Sequence, residues 1–298
     1  MMVPNKLFKY RKFDARTLRL ITNQELYYAN PRTFNDPLDC AFEVNVDIGL
    51  KELVALLKRV YGPDREQEWR YEVDYIFHRA TEEGDWTIDK KARDYLERML
   101  AGSIESQVRQ EFDSRGVLSF STTWKSVLMW SHYADEHRGI CLEFDTGELQ
   151  HDRLAPVEYR KGRSVLASDL YAWKLLGDLE AEKRAFSTHF YSKAPDWRYE
   201  KEWRDITDQP CSRGDYRISG IYFGFRCDYA IKVAIVKMLG IETDVKLFEV
   251  ALARSSFRLR RIEVDASEID AVGMSEPSGI LAARMAVDLD NLEWPDHT

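Results

Sequence analysis

Short stretches rich in apolar, aromatic and β-branched residues recur along the chain and predict β-strands. In the first, Leu7–Phe13, apolar and basic residues alternate, and Glu25–Ala29 is the next. Between them, Asp14 is placed to cap a helix formed by the residues ARTLRLIT. Further strands are predicted at Gly116–Phe120, Gly139–Phe144, Pro156–Tyr159, Glu202–Ile206, Ile218–Phe223, Val245–Leu252 and Ser256–Val264.

A helical periodicity dominates the chain from Asp47 to about Arg115. Apolar residues recur there at helical spacing, at Leu50, Leu53, Leu56, Leu57 and Val60. More helices are predicted at about Arg65–Thr81, Asp89–Ser114, Ser168–Ser192 and Asp228–Leu239. Because strands alternate with helices of unequal length, we predict an α+β fold. Its core is a mixed or antiparallel sheet in residues 1–262, with a helical insertion at about residues 48–115.

Composition is that of an ordinary globular protein. Of the 298 residues, 44% are hydrophobic and 32% are charged, which excludes disordered, collagen-like and coiled-coil classes. No apolar run approaches the roughly 20 residues of a membrane helix, so no membrane partner is expected. The four cysteines form no CxxC pair, and the segment MMVPNKLFKYRKF lacks the apolar core of a signal peptide. We therefore expect a cytoplasmic protein without disulfides or structural zinc.

Negative charge is concentrated in an acidic C-terminal tail at residues 263–298. Nine of the 51 acidic and one of the 43 basic residues lie there, which leaves 42 of each in residues 1–262. A neutral body carries no overall electrostatic footprint for nucleic acid. The tail is expected to cover the basic strand that holds Arg254, Arg258, Arg260 and Arg261.

Two N-terminal stretches are candidates for a cleft. Strand alternation places Lys9 and Arg11 on one face and Tyr10 on the other. Arg11 then either contacts an anion or lies in a solvated edge strand. In FNDPLD, Asn35 and Asp36 precede a proline and are typical of a turn, but a turn does not explain Asp39.

The stretches FSTTW and LMWSHYADEH supply hydroxyl and imidazole groups. Ser121 and Thr122 follow an apolar strand, where they can orient a polar ligand. His132 and Tyr133 are candidates to hydrogen-bond across a cleft beside Trp130, or to satisfy a buried partner. A metal site is not expected, because on a helix His137 is turned about 140° from His132.

The stretch WRYEKEWR carries paired carboxylates. On a strand, Glu200 and Glu202 point the same way, and each is expected to raise the pKa of the other. The alternative is a salt-bridged strand in which Glu202 pairs with Arg204 or Arg198.

These stretches together resemble the bacterial family called domain of unknown function 2971 (DUF2971). The resemblance rests on LFKYR, ELYYANPRTFNDPLDC, FSTTW, LMWSHYADEHRGICLEF, YEKEWR and IYFGF, in that order, over roughly residues 7–252. The family name states no activity.

A second resemblance is to the ADP-ribosyltransferases, through an arginine on the first strand, a Ser-Thr-Thr and a Glu-x-Glu. It implies that Arg11, with Tyr10, contacts the phosphates of NAD, and that Ser121, with Thr122, supports the nicotinamide ribose. It also implies that Glu202 stabilises an oxocarbenium-like transition state and that Glu200 activates the acceptor.

The leading hypothesis is therefore an NAD-consuming transferase or glycohydrolase with a protein, nucleic acid or water as acceptor. One alternative is a non-catalytic module that binds protein or nucleic acid through Trp130, Trp197, Trp203 and Arg204. Another is a metal-dependent nuclease built on Glu200, Glu202, Asp36 and His132. The transferase requires Glu202 to line a cleft shared with Ser121 and Arg11, whereas in the binding module Glu202 is salt-bridged to an arginine.

Overall fold

A computed structural model describes residues 2–147, 154–213, 216–240, 242–254 and 256–273. The strands are β1 (Lys6–Arg11), β2 (Leu26–Tyr28), β3 (Glu43–Asn45), β4 (Gly116–Ser121), β5 (Ile140–Asp145), β6 (Ala155–Pro156), β7 (Glu158–Tyr159), β8 (Ser164–Leu166), β9 (Ser192–Lys193), β10 (Glu202–Thr207), β11 (Cys211–Arg213), β12 (Arg217–Phe223), β13 (Lys246–Leu252) and β14 (Leu259–Val264). The α-helices are α1 (Ala15–Asn23), α2 (Leu50–Tyr61), α3 (Glu66–Glu83), α4 (Lys90–Phe112), α5 (Val127–Tyr133), α6 (Ala167–Tyr171), α7 (Leu179–Phe190), α8 (Tyr229–Leu239) and α9 (Ala266–Gly273).

The chain divides into two compact units. Unit 1 comprises the chain up to Lys9, Gln24–Ser126 and Asp145–Arg217. Unit 2 comprises Tyr10–Asn23, Val127–Phe144 and the chain from Ile218 onward. Helices and strands of both parallel and antiparallel pairing are present, so the predicted α+β fold is confirmed.

In unit 1, β4 is the strand around which the sheet is built, in the order β1-β4-β10-β6. It pairs antiparallel with β10 along its whole length and with β1 at Phe8, which lies opposite Ser121. Five of its six residues are buried, on both faces, which is typical of a strand in the interior of a sheet.

The predicted helical insertion is formed by α2, α3 and α4. Asp89 caps α4 by accepting a hydrogen bond from the backbone of Lys91. One face of α4 is buried at every fourth residue, through Ala92, Leu96, Leu100, Ile104, Val108 and Phe112. That face joins a core with Leu53, Leu56 and Leu57 of α2, so the apolar periodicity of the insertion is satisfied inside unit 1.

Unit 2 holds the strand order β14-β13-β12-β5. β12 is parallel to β13, and β13 is antiparallel to β14. Parallel strands need a crossover connection, and α8, capped by Asp228, provides it.

Two sequence predictions need correction or lie outside the structure. The helix expected over Ser168–Ser192 is interrupted: a π-helical turn at Ala172–Leu176 ends at Gly177, whose φ is 74°, before α7 begins. Of the acidic tail, residues 263–273 form the end of β14 and α9, whereas residues 274–298 lie outside the described residues.

Candidate functional site

The candidate site of unit 1 forms where β4 ends and β10 begins. Ser121 is the last residue of β4 and lies directly opposite Glu202, the first residue of β10. Opposite residues of an antiparallel pair project from the same face. The register therefore brings together the stretches FSTTW and YEKEWR, which are 79 residues apart between Ser121 and Glu200.

Glu202 is buried and ion-paired. Its side chain is only 5% exposed. Arg204 Nε donates to Oε1 at 2.8 Å and Arg204 Nη2 donates to Oε2 at 3.0 Å. Lys193 Nζ donates to Oε2 at 3.1 Å. Both carboxylate oxygens thus accept hydrogen bonds from cationic side chains. This is the salt-bridged arrangement that the sequence predicts as the alternative, with Arg204 as the partner of Glu202.

The turn FNDPLDC supplies a further acid to the same place. Asp39 Oδ2 lies 2.7 Å from Arg204 Nη2 and 3.3 Å from Lys193 Nζ. These two ion pairs explain the presence of Asp39, which the turn alone did not account for. The next residue, Cys40, has a left-handed φ of 50° and accepts a hydrogen bond from Arg204 at 3.2 Å.

Glu200 completes the group from outside the strand that holds Glu202. It ends a 3₁₀ helix at Pro195–Glu200, and Lys201, with φ at 47°, turns the chain into β10. The two glutamates therefore do not share a strand, which was the condition for their side chains to point the same way. Glu200 nevertheless bonds Lys193, and its backbone oxygen accepts from Ser121 Oγ at 2.6 Å. We call Asp39, Lys193, Glu200, Glu202 and Arg204 the buried ionic cluster.

The cluster also reverses the predicted pKa shift. Burial works to raise the pKa of Glu202, but Arg204 and then Lys193 outweigh it and lower the pKa to about 2. Although burial lowers it, the neighbouring carboxylates hold the pKa of Lys193 above its ordinary range. Burial raises the pKa of the Cys40 thiol. At neutral pH Glu202 is a carboxylate and Cys40 a thiol, so neither exchanges a proton there.

Half-buried aromatic residues border the cluster. Lys193 Nζ lies 5.0 Å from the centre of the Trp197 ring, a cation–π distance. The rings of Trp197 and Tyr199 are 5.9 Å apart. Tyr159 Oη accepts from the backbone N–H of Glu202 at 2.8 Å. The buried ionic cluster therefore lies beside aromatic side chains that are partly exposed.

The predicted recognition surface is not formed as expected. Trp203 and Trp130 are 7% and 0% exposed, and Arg204 is 0% exposed. Their side chains pack inside their units and cannot stack on a partner; of the proposed set only Trp197 is partly exposed. Charge pairing explains why Arg204 can be buried completely.

Other predicted residues of unit 1 have simpler positions. Thr122 is half-buried, and its N–H donates to the oxygen of Lys201. Asp36 accepts from the backbone of Leu38 within the turn, and Asn35 is exposed.

The remaining predicted residues lie in unit 2. Arg11 Nε donates to Thr17 Oγ1 at 3.4 Å, and its guanidinium lies 3.7 Å from Asp14. Tyr10 is buried with its ring edge-to-face against Trp130, at 5.3 Å. His132 is exposed and Tyr133 is half-buried.

Sequence reasoning missed three residues of the site. Lys193, Cys40 and Tyr159 each touch Glu202 or Arg204. None stands in a pattern that separates it from an ordinary strand or loop residue. The one signal in the sequence is that the motifs hold three acids, Asp39, Glu200 and Glu202, which favours a second cation, Lys193, beside Arg204.

Within the described residues, no group of three or more His, Cys, Asp or Glu side chains is placed to hold a metal ion. In that same part of the chain, no helix is long and apolar enough to cross a membrane.

The fold and the site define an α+β protein with a charge-paired interior. The family described as protein of unknown function (DUF2971) matches residues 129–204, which include Lys193, Glu200, Glu202 and Arg204. The predicted resemblance to DUF2971 is thereby confirmed for these residues. No curated protein and no solved structure matches the chain.

Proposed function

We propose that the protein consumes NAD, as an ADP-ribosyltransferase or NAD glycohydrolase, with the buried ionic cluster as its reactive centre. One observation carries the proposal: within unit 1, the Ser-Thr-Thr motif at the end of β4 meets the Glu-x-Glu motif at the start of β10, with Ser121 opposite Glu202. This register supports a joint role for the serine and the glutamate.

Electrostatics assign the role of each acid. Cleavage of the nicotinamide–ribose bond builds positive charge on the sugar, which a fixed carboxylate stabilises. Glu202, whose pKa is lowered to about 2, is suited to that role and unsuited to proton transfer. Glu200, held by Lys193 and close to Ser121 through its backbone, is proposed to position the acceptor.

The acids of the cluster suit the cationic end of NAD. Asp39, Glu200 and Glu202 are three of its five members and lie around Lys193 and Arg204. NAD carries a cationic nicotinamide ring, and the half-buried Trp197 suits stacking on it. To reach Glu202 Oε2, a ribose hydroxyl must replace Lys193 there.

The test is nicotinamide release from NAD by the full chain and by Glu202→Gln. We expect release to fall at least a hundredfold. The matched control is Glu158→Gln, an exposed acid that forms an ion pair with Arg160 and should retain wild-type release when changed. Because Glu202→Gln leaves buried cations unpaired, Ser121→Ala provides a second variant, and circular dichroism shows whether each variant is folded. Equal release by folded wild type and both site variants contradicts the assignment.

A second candidate, a non-catalytic module that binds protein or nucleic acid, is favoured by the burial and double ion pairing of Glu202. In that case the cluster fixes the fold and performs no chemistry. If NAD neither loses nicotinamide nor changes the melting temperature of the wild-type chain, this second candidate replaces the first.

A further inference from the structure

Unit 2 contains an unusual backbone turn directly after α5. Asp135, Glu136 and His137 have φ values of 47°, 51° and 69°, so three consecutive non-glycine residues are left-handed. Such residues persist only where the surroundings fix them, and they concentrate at functional sites. Here the N–H groups of His137, Arg138 and Gly139 donate to the oxygens of Trp130, Asp135 and Ala134 at 2.8–3.2 Å.

The turn directs the His137 side chain back towards α5. Its ring lies parallel to Trp130, with an interplanar angle of 10° and 6.1 Å between centres, and is 4.4 Å from Phe225. The residue is 7% exposed. Its Nε2 lies 3.3 Å from Ser131 Oγ, whereas Nδ1 is buried and has no hydrogen-bond partner among the described residues.

His137 is neutral at neutral pH, because burial and then the nearby Arg226 lower its pKa. Glu136 lies on the same turn but is paired with Arg138 at 2.8 Å and with Arg226 at 3.9 Å. A neutral imidazole beside a hydroxyl is the arrangement by which histidine activates a serine nucleophile.

Ser131 is also accessible. It is exposed on α5, and its hydroxyl now donates to the oxygen of Val127 at 3.1 Å. The apolar side chains of Val127 and Leu128, which are 39% and 48% exposed, precede Ser131 by four and three residues. Residues at that spacing share a helix face, so apolar surface borders the hydroxyl.

We propose that Ser131 and His137 form a second reactive site, independent of NAD, that accepts acyl groups from activated apolar carboxylic esters. In the tautomer that carries its hydrogen on Nδ1, His137 Nε2 has a free lone pair, and the Ser131 hydroxyl turns from the Val127 oxygen towards it. Ser131 Oγ then attacks the ester carbonyl carbon as its proton passes to His137 Nε2. The bond from that carbon to the leaving oxygen breaks, and the leaving alkoxide takes the proton from His137. Water, activated in the same way, then releases the acid and restores Ser131.

The test is the reaction of the full chain with p-nitrophenyl butyrate, followed by p-nitrophenol release and by mass analysis of the acylated peptides. We expect acylation at Ser131 to be at least tenfold faster than at Ser114, an exposed serine whose hydroxyl donates to the backbone oxygen of Glu111. Equal labelling of the two serines overturns the proposal.

Two variants separate reactivity from a structural role. Ser131→Ala should abolish the fast acylation. His137→Asn removes the base with a residue that tolerates left-handed backbone, so the turn is retained and acylation of Ser131 should fall to the Ser114 rate. The wild-type rate should decline only below the ordinary histidine pKa. Wild-type acylation in folded His137→Asn overturns the proposal.

Discussion

Arg204 is the side chain on which the buried ionic cluster depends most. It is fully buried and donates to Glu202, to Asp39 at 2.7 Å and to the backbone oxygen of Phe190 at 2.8 Å. Arg204→Met keeps a long side chain but removes every one of these bonds. Lys193 then remains as the single cation of the cluster for three acids.

The expected loss follows from the carboxylates that the variant leaves unpaired. Removing one partner of a buried ion pair costs about 3–5 kcal/mol. The lost bond to the Phe190 oxygen adds about 1 kcal/mol, and new apolar contacts of methionine offset part of it. We expect a decrease of about 4 kcal/mol in the free energy of unfolding, which is a large part of the roughly 5–15 kcal/mol typical of a domain.

Urea unfolding followed by circular dichroism measures this loss. The matched control is Arg160→Met, which breaks an exposed pair with Glu158 and should cost less than about 1 kcal/mol. In the double variant with Glu202→Gln, the two losses should not add, since the acid that Arg204→Met strands is gone. A cost for Arg204→Met no larger than that of the control refutes the reasoning.

Three further predictions concern stability. The pKa of Glu202 is about 2 in the folded protein against an ordinary 4.5, and above pH 4.5 this shift contributes about 3 kcal/mol to the free energy of unfolding. The contribution is lost as the pH falls towards 2. The difference in urea stability between wild type and Glu202→Gln should therefore vanish over that range. Gly224→Ala places a Cβ 2.1 Å from the His137 oxygen and should cost about 1–3 kcal/mol or more by thermal unfolding, whereas Gly102→Ala, with nothing within 4 Å, should stabilise α4 by about 1 kcal/mol. Lys201→Gly relieves a φ of 47° and should raise the melting temperature; a lower one contradicts the proposed strain.

The sequence predicts periodic elements of the fold well. The apolar spacing from Leu50 to Val60 predicts α2, and the structure has it at Leu50–Tyr61. The interruption of the helix over Ser168–Ser192 escaped prediction. The break is confined to Gly177, which ends the π-helical turn, and Asp178, which caps the start of α7, and the residues on both sides are helical.

The candidate site is predictable only in part. Ser121, Glu200 and Glu202 stand in recognisable motifs, and the structure brings them together. The position of Glu200 depends on the left-handed Lys201, a residue type that gives no signal for such backbone. Lys193 and Asp39 join the cluster through long-range packing, and this packing, which no local pattern encodes, reverses the expected pKa shift of Glu202.

Direct binding of NAD tests the central claim, because binding is required whether the acceptor is water or an unknown macromolecule. Isothermal titration of the full chain with NAD should give saturable binding at one site, weakened at least tenfold in Ser121→Ala and unchanged in Glu158→Gln. Absence of heat and of any shift in melting temperature with wild-type protein contradicts the proposal that the buried ionic cluster consumes NAD.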